Sequence, residues 1–163
     1  MITVDQHVMH APAAICFQIA ADVEQWPNIL PHYRWVRFHR KEAFGKGIVE
    51  MAAWRDFSSA IRYPTWWVSE MRVDESEPAV YYRHIDGITR GMDVKWSFAR
   101  QSDQTTQVRI VHEWSGPHWP VIGTIAADWV IGPHFVSKIA GRTLAGVARE
   151  AERRAAEAAA RGA

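Results

Sequence analysis

Apolar and polar residues alternate from Ile2 and Val4 against Thr3 and Asp5, which predicts a first strand running to His10. Ala11-Pro12 ends it. Pro12 suits a helix start, and Ala13–Ala21 carries Ile15, Phe17 and Ile19 among good helix formers. Asp22 is placed to cap a second short helix toward Trp26, and Pro27 and Pro31 forbid a long continuation. From Tyr33 the period returns to two. Strands are expected over Tyr33–Ala43, Ile48–Phe57, Ile61–Asp74, Ala79–Asp86, Met92–Arg100 and Gln107–Trp114. Short turns rich in Gly, Ser, Pro and Gln separate them. After Gly116-Pro117 the pattern becomes helical, from about Ile122 to the end. Gly132-Pro133 should kink or break this helix, and the alanine-rich tail should fray from about residue 155.

Strands in sequence joined by short turns make an antiparallel meander, and its apolar face needs cover. The C-terminal helix has the length to provide it. The expected class is therefore α+β, with a curved antiparallel sheet of about seven strands wrapped around one long helix. Two short helices follow the first strand, and an internal pocket lies between sheet and helix. The 163 residues support one core, so a single domain over 1–163 is expected.

The formal charge of +1 is evenly mixed and leaves no footprint for nucleic acid or an anionic membrane. The apolar stretch from Trp119 to His134 is interrupted by Asp128, two glycines and two prolines, so no membrane span is expected. The N-terminus has no basic and apolar leader pattern. Cys16 is the single cysteine, which rules out an internal disulfide and suits a reducing cytoplasm. Nine tryptophans are more than a core of this size readily hides, so some are expected to wall a cavity.

Strand alternation sorts the faces. Val94, Trp96 and Phe98 follow Met92 inward, and Val108, Ile110, His112 and Trp114 share the inner face of the last strand. Tyr63, Thr65, Trp67, Ser69 and Met71 form the inward set of the fourth strand, because Glu70 and Arg72 mark the other as outward. The fifth strand reads either way, with Tyr81, Arg83 and Ile85 inward or Val80, Tyr82 and His84. His112 on an apolar face is either an acid/base or a core histidine satisfied by a neighbour. Tyr33 is either a pocket phenol or a packed aromatic. Arg83, if inward, needs an anionic or enolate partner. His7 and His10 fall on opposite strand faces, so no metal site is expected, and no motif calls for a cofactor. The basic run Arg34, Arg37, His39, Arg40 and Lys41 is either a solvated strand face or a surface for an acidic carrier protein.

Several segments, in order, resemble the polyketide aromatase/cyclases of the START-like (SRPBCC) helix-grip superfamily. They are Ala11-Pro12, Asp22-Val23-Glu24-Gln25-Trp26-Pro27, Tyr33, Trp67-Val68-Ser69, Arg83, Met92-x-x-x-Trp96 and His112-Glu113. The resemblance covers most of the chain. It implies ring closure of a poly-β-ketone by aldol chemistry and loss of water, a lyase-type reaction. Carried over by position, His112 would be the acid/base, Tyr33 a proton donor and Arg83 the holder of a carbonyl or enolate oxygen. Trp26, Trp67, Ser69, Met71, Met92, Trp96 and Trp114 would bind substrate. One position departs: the family's pocket arginine, two residues after the serine, is Met71 here. The competing expectation is a non-catalytic carrier of a lipid, quinone or other apolar aromatic. The partners expected are a polyketide or lipid-like small molecule and an acyl carrier protein, with the chain a monomer or homodimer.

Overall fold

The computed structural model describes residues 1–56, 62–116 and 133–162. Seven strands form one antiparallel sheet: β1 (Ile2–Met9), β2 (Tyr33–Ala43), β3 (Lys46–Asp56), β4 (Arg62–Asp74), β5 (Ala79–Gly87), β6 (Asp93–Ser102) and β7 (Thr105–Glu113). Their order across the sheet is β1-β7-β6-β5-β4-β3-β2. β2 to β7 make the expected meander. β1 pairs with β7 at one edge, while the next strand in the chain, β2, forms the other edge. The intervening helices α1 (Ala13–Ala21) and α2 (Trp26–Ile29) carry the chain across the inner face between those edges. α3 (Pro133–Arg161) packs against β1 and α1. Its buried side chains, Val136, Ala140, Leu144, Val147 and Ala151, recur every three or four residues and form one stripe toward the sheet.

Register shifts in β2 against β3, and between Val68 and Ser69 of β4 against β5, bend the sheet around the helices. Opposite the second shift, Ile85 is the extra residue, and Gly87 adopts φ +93° where a Cβ would meet the backbone of Trp66 and Trp67.

The element bounds depart from expectation in a few places. A 3₁₀ turn (Val23–Gln25) precedes α2, and Asp22 makes no side-chain cap. Pro27 sits in the first turn of α2 rather than ending it, where its missing N–H has no intrahelical partner to lose. Where fraying was expected from about residue 155, α3 continues to Arg161, with Arg153 paired to Glu150 and Glu157. Phe57, Ile61 and the helical pattern over 122–132, with the Gly132 half of the expected kink, lie outside the described residues. No described helix is long and apolar enough to cross a membrane.

The basic run falls on edge strand β2. Arg37 pairs with Glu50, Arg40 with Glu42 and Lys41 with Glu24, and the guanidinium of Arg34 lies between the rings of Trp35 and Trp54 at 4.7 and 4.6 Å. Charge on an edge strand also discourages pairing with another chain.

Candidate functional site

A cavity of about 60 Å³ lies between the inner sheet face and α3. Its aromatic wall is continuous. Trp96 packs on Trp26 at 5.7 Å, Trp26 on Tyr33 at 5.1 Å, Tyr33 on Trp67 at 6.2 Å, and Trp67 stacks on His84 at 6.0 Å. Two of these rings are fixed by hydrogen bonds. Trp26 Nε1 donates to the carbonyl of Ile19 in α1 at 3.1 Å. His84 Nδ1 lies 2.6 Å from the Thr89 hydroxyl, on a turn closed by the Gly91 N–H donating to the His84 carbonyl. Met51 and Met92 complete the wall with flexible side chains that can re-pack around a ligand.

Six of the residues singled out by sequence line this cavity: His112, Tyr33, Trp26, Trp67, Met92 and Trp96. His112 faces β1, where its Nδ1 is 3.3 Å from the Thr3 hydroxyl, and its Nε2 has no partner among the described residues. The ring is anchored by a neighbour and faces the cavity.

Four others do not line it. β5 turns Val80, Tyr82 and His84 inward, so Arg83 points to solvent and pairs with Asp93 at 3.1 Å. It cannot hold a substrate oxygen inside. Ser69 and Met71 are buried, at the next inward positions of β4 beyond Trp67, but are not among the cavity's lining residues. Met71 lies roughly 13 Å along the strand from Trp67. Trp114 is buried at the sheet end, where its Nε1 donates to the Arg90 carbonyl at 2.9 Å.

Sequence reasoning passed over Arg55. The guanidinium is buried, with Nε donating to the Thr65 hydroxyl at 3.2 Å and Nη1 to the Phe135 carbonyl at 2.8 Å. It lies 3.9 Å over the Phe135 ring and 5.8 Å from that of Trp67. No carboxylate among the described residues pairs with it. The signal was present in β3, where Val49, Met51, Ala53 and Arg55 alternate with Ile48, Glu50, Ala52 and Trp54. His84, Thr89, Tyr82 and Thr143 also line the cavity and were not singled out.

The electrostatics follow from burial beside this cation. Desolvation, with Arg55 adding repulsion, pushes His112 down to about 4. Desolvation, then His112 and Arg55, pushes His84 down to about 3. His32, 3.0 Å from the Thr143 hydroxyl, is lowered to about 4, again chiefly by burial. All three imidazoles are neutral at pH 7. Burial lowers Arg55 to about 10, so it stays charged. Burial raises the Tyr33 phenol to about 12 and that of Tyr82 well above its ordinary value, so both remain protonated donors. The Tyr82 hydroxyl is buried with no hydrogen-bond partner among the described residues. The site thus offers neutral bases, neutral phenols and one cation that no described carboxylate pairs, within an apolar wall.

A curved antiparallel sheet gripping a long C-terminal helix around an internal cavity is the START-like helix-grip fold. Solved structures of that fold similar to this chain include the Zhui aromatase/cyclase from Streptomyces sp. R1128, at 20% identity and a TM-score of 0.77 over 94% of each chain. The di-domain ARO/CYC StfQ of the steffimycin biosynthetic pathway is similar at 19% identity and a TM-score of 0.68, over 93% of this chain and 45% of that one. A START superfamily protein from Mycobacterium smegmatis is similar at 14% identity and 0.66, over 96% and 97%. Neither a protein-family model nor a curated protein sequence matches the chain.

Proposed function

We propose that the cavity closes a ring in a poly-β-ketone or related poly-oxo chain by intramolecular aldol addition and then removes water. The observation that carries this reading is a buried guanidinium free of any described carboxylate, converging with neutral imidazoles in one aromatic-walled cavity. A methylene between two carbonyls is acidic enough for a neutral imidazole to deprotonate when the resulting enolate is stabilised. His112 Nε2 would take that proton, and the negative oxygen would face Arg55. The enolate carbon attacks a second carbonyl, and the imidazolium returns its proton to the new alkoxide. A second deprotonation at the same carbon, with the proton passing to the leaving hydroxyl, releases water. Tyr33 and Tyr82 would orient carbonyl oxygens by hydrogen bonds. The balance needs no oxidant or reductant. Similarity to aromatase/cyclases supports this by analogy of fold.

An acyl carrier protein would deliver the chain, and the lone buried thiol suits a cytoplasmic site of action. A second reading, a carrier for an apolar aromatic or lipid, is favoured by the cavity size. About 60 Å³ is well below the roughly 300–1,000 Å³ of small-molecule pockets, so a polyketide must displace Met51 and Met92.

The test is a product profile by liquid chromatography and mass spectrometry. A minimal polyketide synthase generates the poly-β-ketone in the presence of wild type or His112→Ala. A cyclised product one water lighter, present with wild type and absent with the variant, supports the enzyme. An unchanged profile with both proteins overturns it in favour of the carrier.

A further inference from the structure

An arginine buried without a counter-ion among the described residues is an expensive arrangement. Removing a guanidinium from water costs several kcal/mol, which a fold recovers by pairing it. Arg55 is compensated in part by a hydroxyl, a carbonyl and two aromatic faces. A guanidinium carries five N–H donors in a planar fork that matches the two oxygens of a carboxylate. The described residues engage two of the five, one on Nε and one on Nη1. A second polar atom lining the same cavity, the Tyr82 hydroxyl, is buried and unsatisfied. A buried donor without an acceptor also carries a penalty. A planar oxyanion meets the deficit at Arg55.

The other titratable groups of the cavity leave this role to Arg55. His84 and His112 are neutral, and Tyr33 is a protonated phenol. Among the described lining residues, Arg55 is the one charge. No described lining residue is acidic, so a ligand anion meets no repulsion from them. The open volume of about 60 Å³ is enough for roughly two waters, the room a carboxylate group requires.

We infer that this cavity binds its ligand through an ionised carboxylate, seated on the free donors of the Arg55 guanidinium. The inference rests on the same cavity as the cyclase reading, and gives Arg55 the ligand's carboxylate in place of the enolate oxygen, which then falls to the protonated Tyr33 phenol. The substrate is then a poly-oxo or aromatic chain bearing a free acid on the part that enters the cavity. A carrier thioester remains possible at its other end. Arg55 on β3 lies opposite Tyr63, eight residues along β4 from the Met71 position to which the resemblance assigned an arginine.

The experiment compares benzoate with benzamide, which share shape and differ in charge. Binding is read by tryptophan fluorescence, with Trp26, Trp67 and Trp96 in the cavity wall. Wild type should bind benzoate at least about ten-fold more tightly, as a charge-assisted bidentate contact implies. Arg55→Met should abolish the preference, and Arg55→Lys should retain part of it. Arg55→Met should also melt at the same temperature as wild type or higher, since it removes a buried cation that no described carboxylate pairs. Equal affinity of wild type for the two probes overturns the inference, as does a preference that survives in a folded Arg55→Met. If that variant does not fold, the wild-type ratio and the lysine variant still decide. The measurement needs no turnover. A benzoate preference without a cyclised product sinks the cyclase reading alone, and a cyclised product without the preference sinks this one alone.

Discussion

Acid should unfold this protein in a window set by its histidines. His112, His84 and His32 are held at about 4, 3 and 4 against an ordinary value of 6.5. In each case the fold favours the neutral ring. Below pH 6.5 the unfolded chain takes up protons that the native state refuses, so stability falls as pH falls toward the native values. The stabilisation is fully present above pH 6.5. At about 1.4 kcal/mol per pH unit per group, each ring forfeits about 2 kcal/mol by pH 5. The three together forfeit about 4–6 kcal/mol, allowing for the partial solvent contact of His32. That is a large share of the roughly 5–15 kcal/mol of a typical domain. Carboxylates whose values are lowered, Glu50, Asp74 and Glu150, act in the same direction but only below their ordinary 4.5, 3.8 and 4.5. The interval from pH 7 to 5 therefore reports histidines. Urea titrations at pH 8, 7, 6 and 5, followed by circular dichroism, give the free energy of unfolding directly. His112→Gln should flatten the slope by about one proton. A fall below about 1 kcal/mol between pH 7 and 5, or an unchanged slope in the variant, would refute the argument from buried neutral imidazoles.

Two glycines of α3 should respond oppositely to alanine. At Gly141 nothing stands within 4 Å of an added Cβ, so Gly141→Ala should stabilise by about 1 kcal/mol in a thermal melt. At Gly146 the Cβ would overlap Leu30, and Gly146→Ala should destabilise by about 1–3 kcal/mol. Arg83→Ala should change stability by less than about 0.5 kcal/mol and leave any cyclised product unaltered, because its pair with Asp93 is exposed. Loss of product in that variant would return Arg83 to the site. Met71→Arg should destabilise by about 3 kcal/mol or more in urea, since it buries a second cation away from the cavity. A variant as stable as wild type would show that β4 can open there.

Strand and turn positions were legible in the sequence because a two-residue period and Gly/Pro punctuation are local signals. β2 runs over Tyr33–Ala43 and α1 over Ala13–Ala21, as their patterns predict. The inward faces of β6 and β7 follow from the same period, and they carry Trp96 and His112 to the cavity. The α+β class follows from a meander that needs a cover and a single long helix able to supply it. β5 was different. Its alternation reads equally well in both phases, and its pairing with β4 and β6 turned Tyr82 and His84 inward and Arg83 out. How far along an inward row the cavity extends is also not written in the row. Trp67 reaches it while Ser69 and Met71 of the same strand do not, because the opposing helices decide where the sheet is filled. Alternation along β3 places Arg55 on the inner face. Its lack of a described carboxylate partner, and the neutrality of the three histidines, depend on strands and helices distant in the chain. Local periodicity determines which way a side chain points; burial and charge are sums over neighbours, and folding alone assembles those.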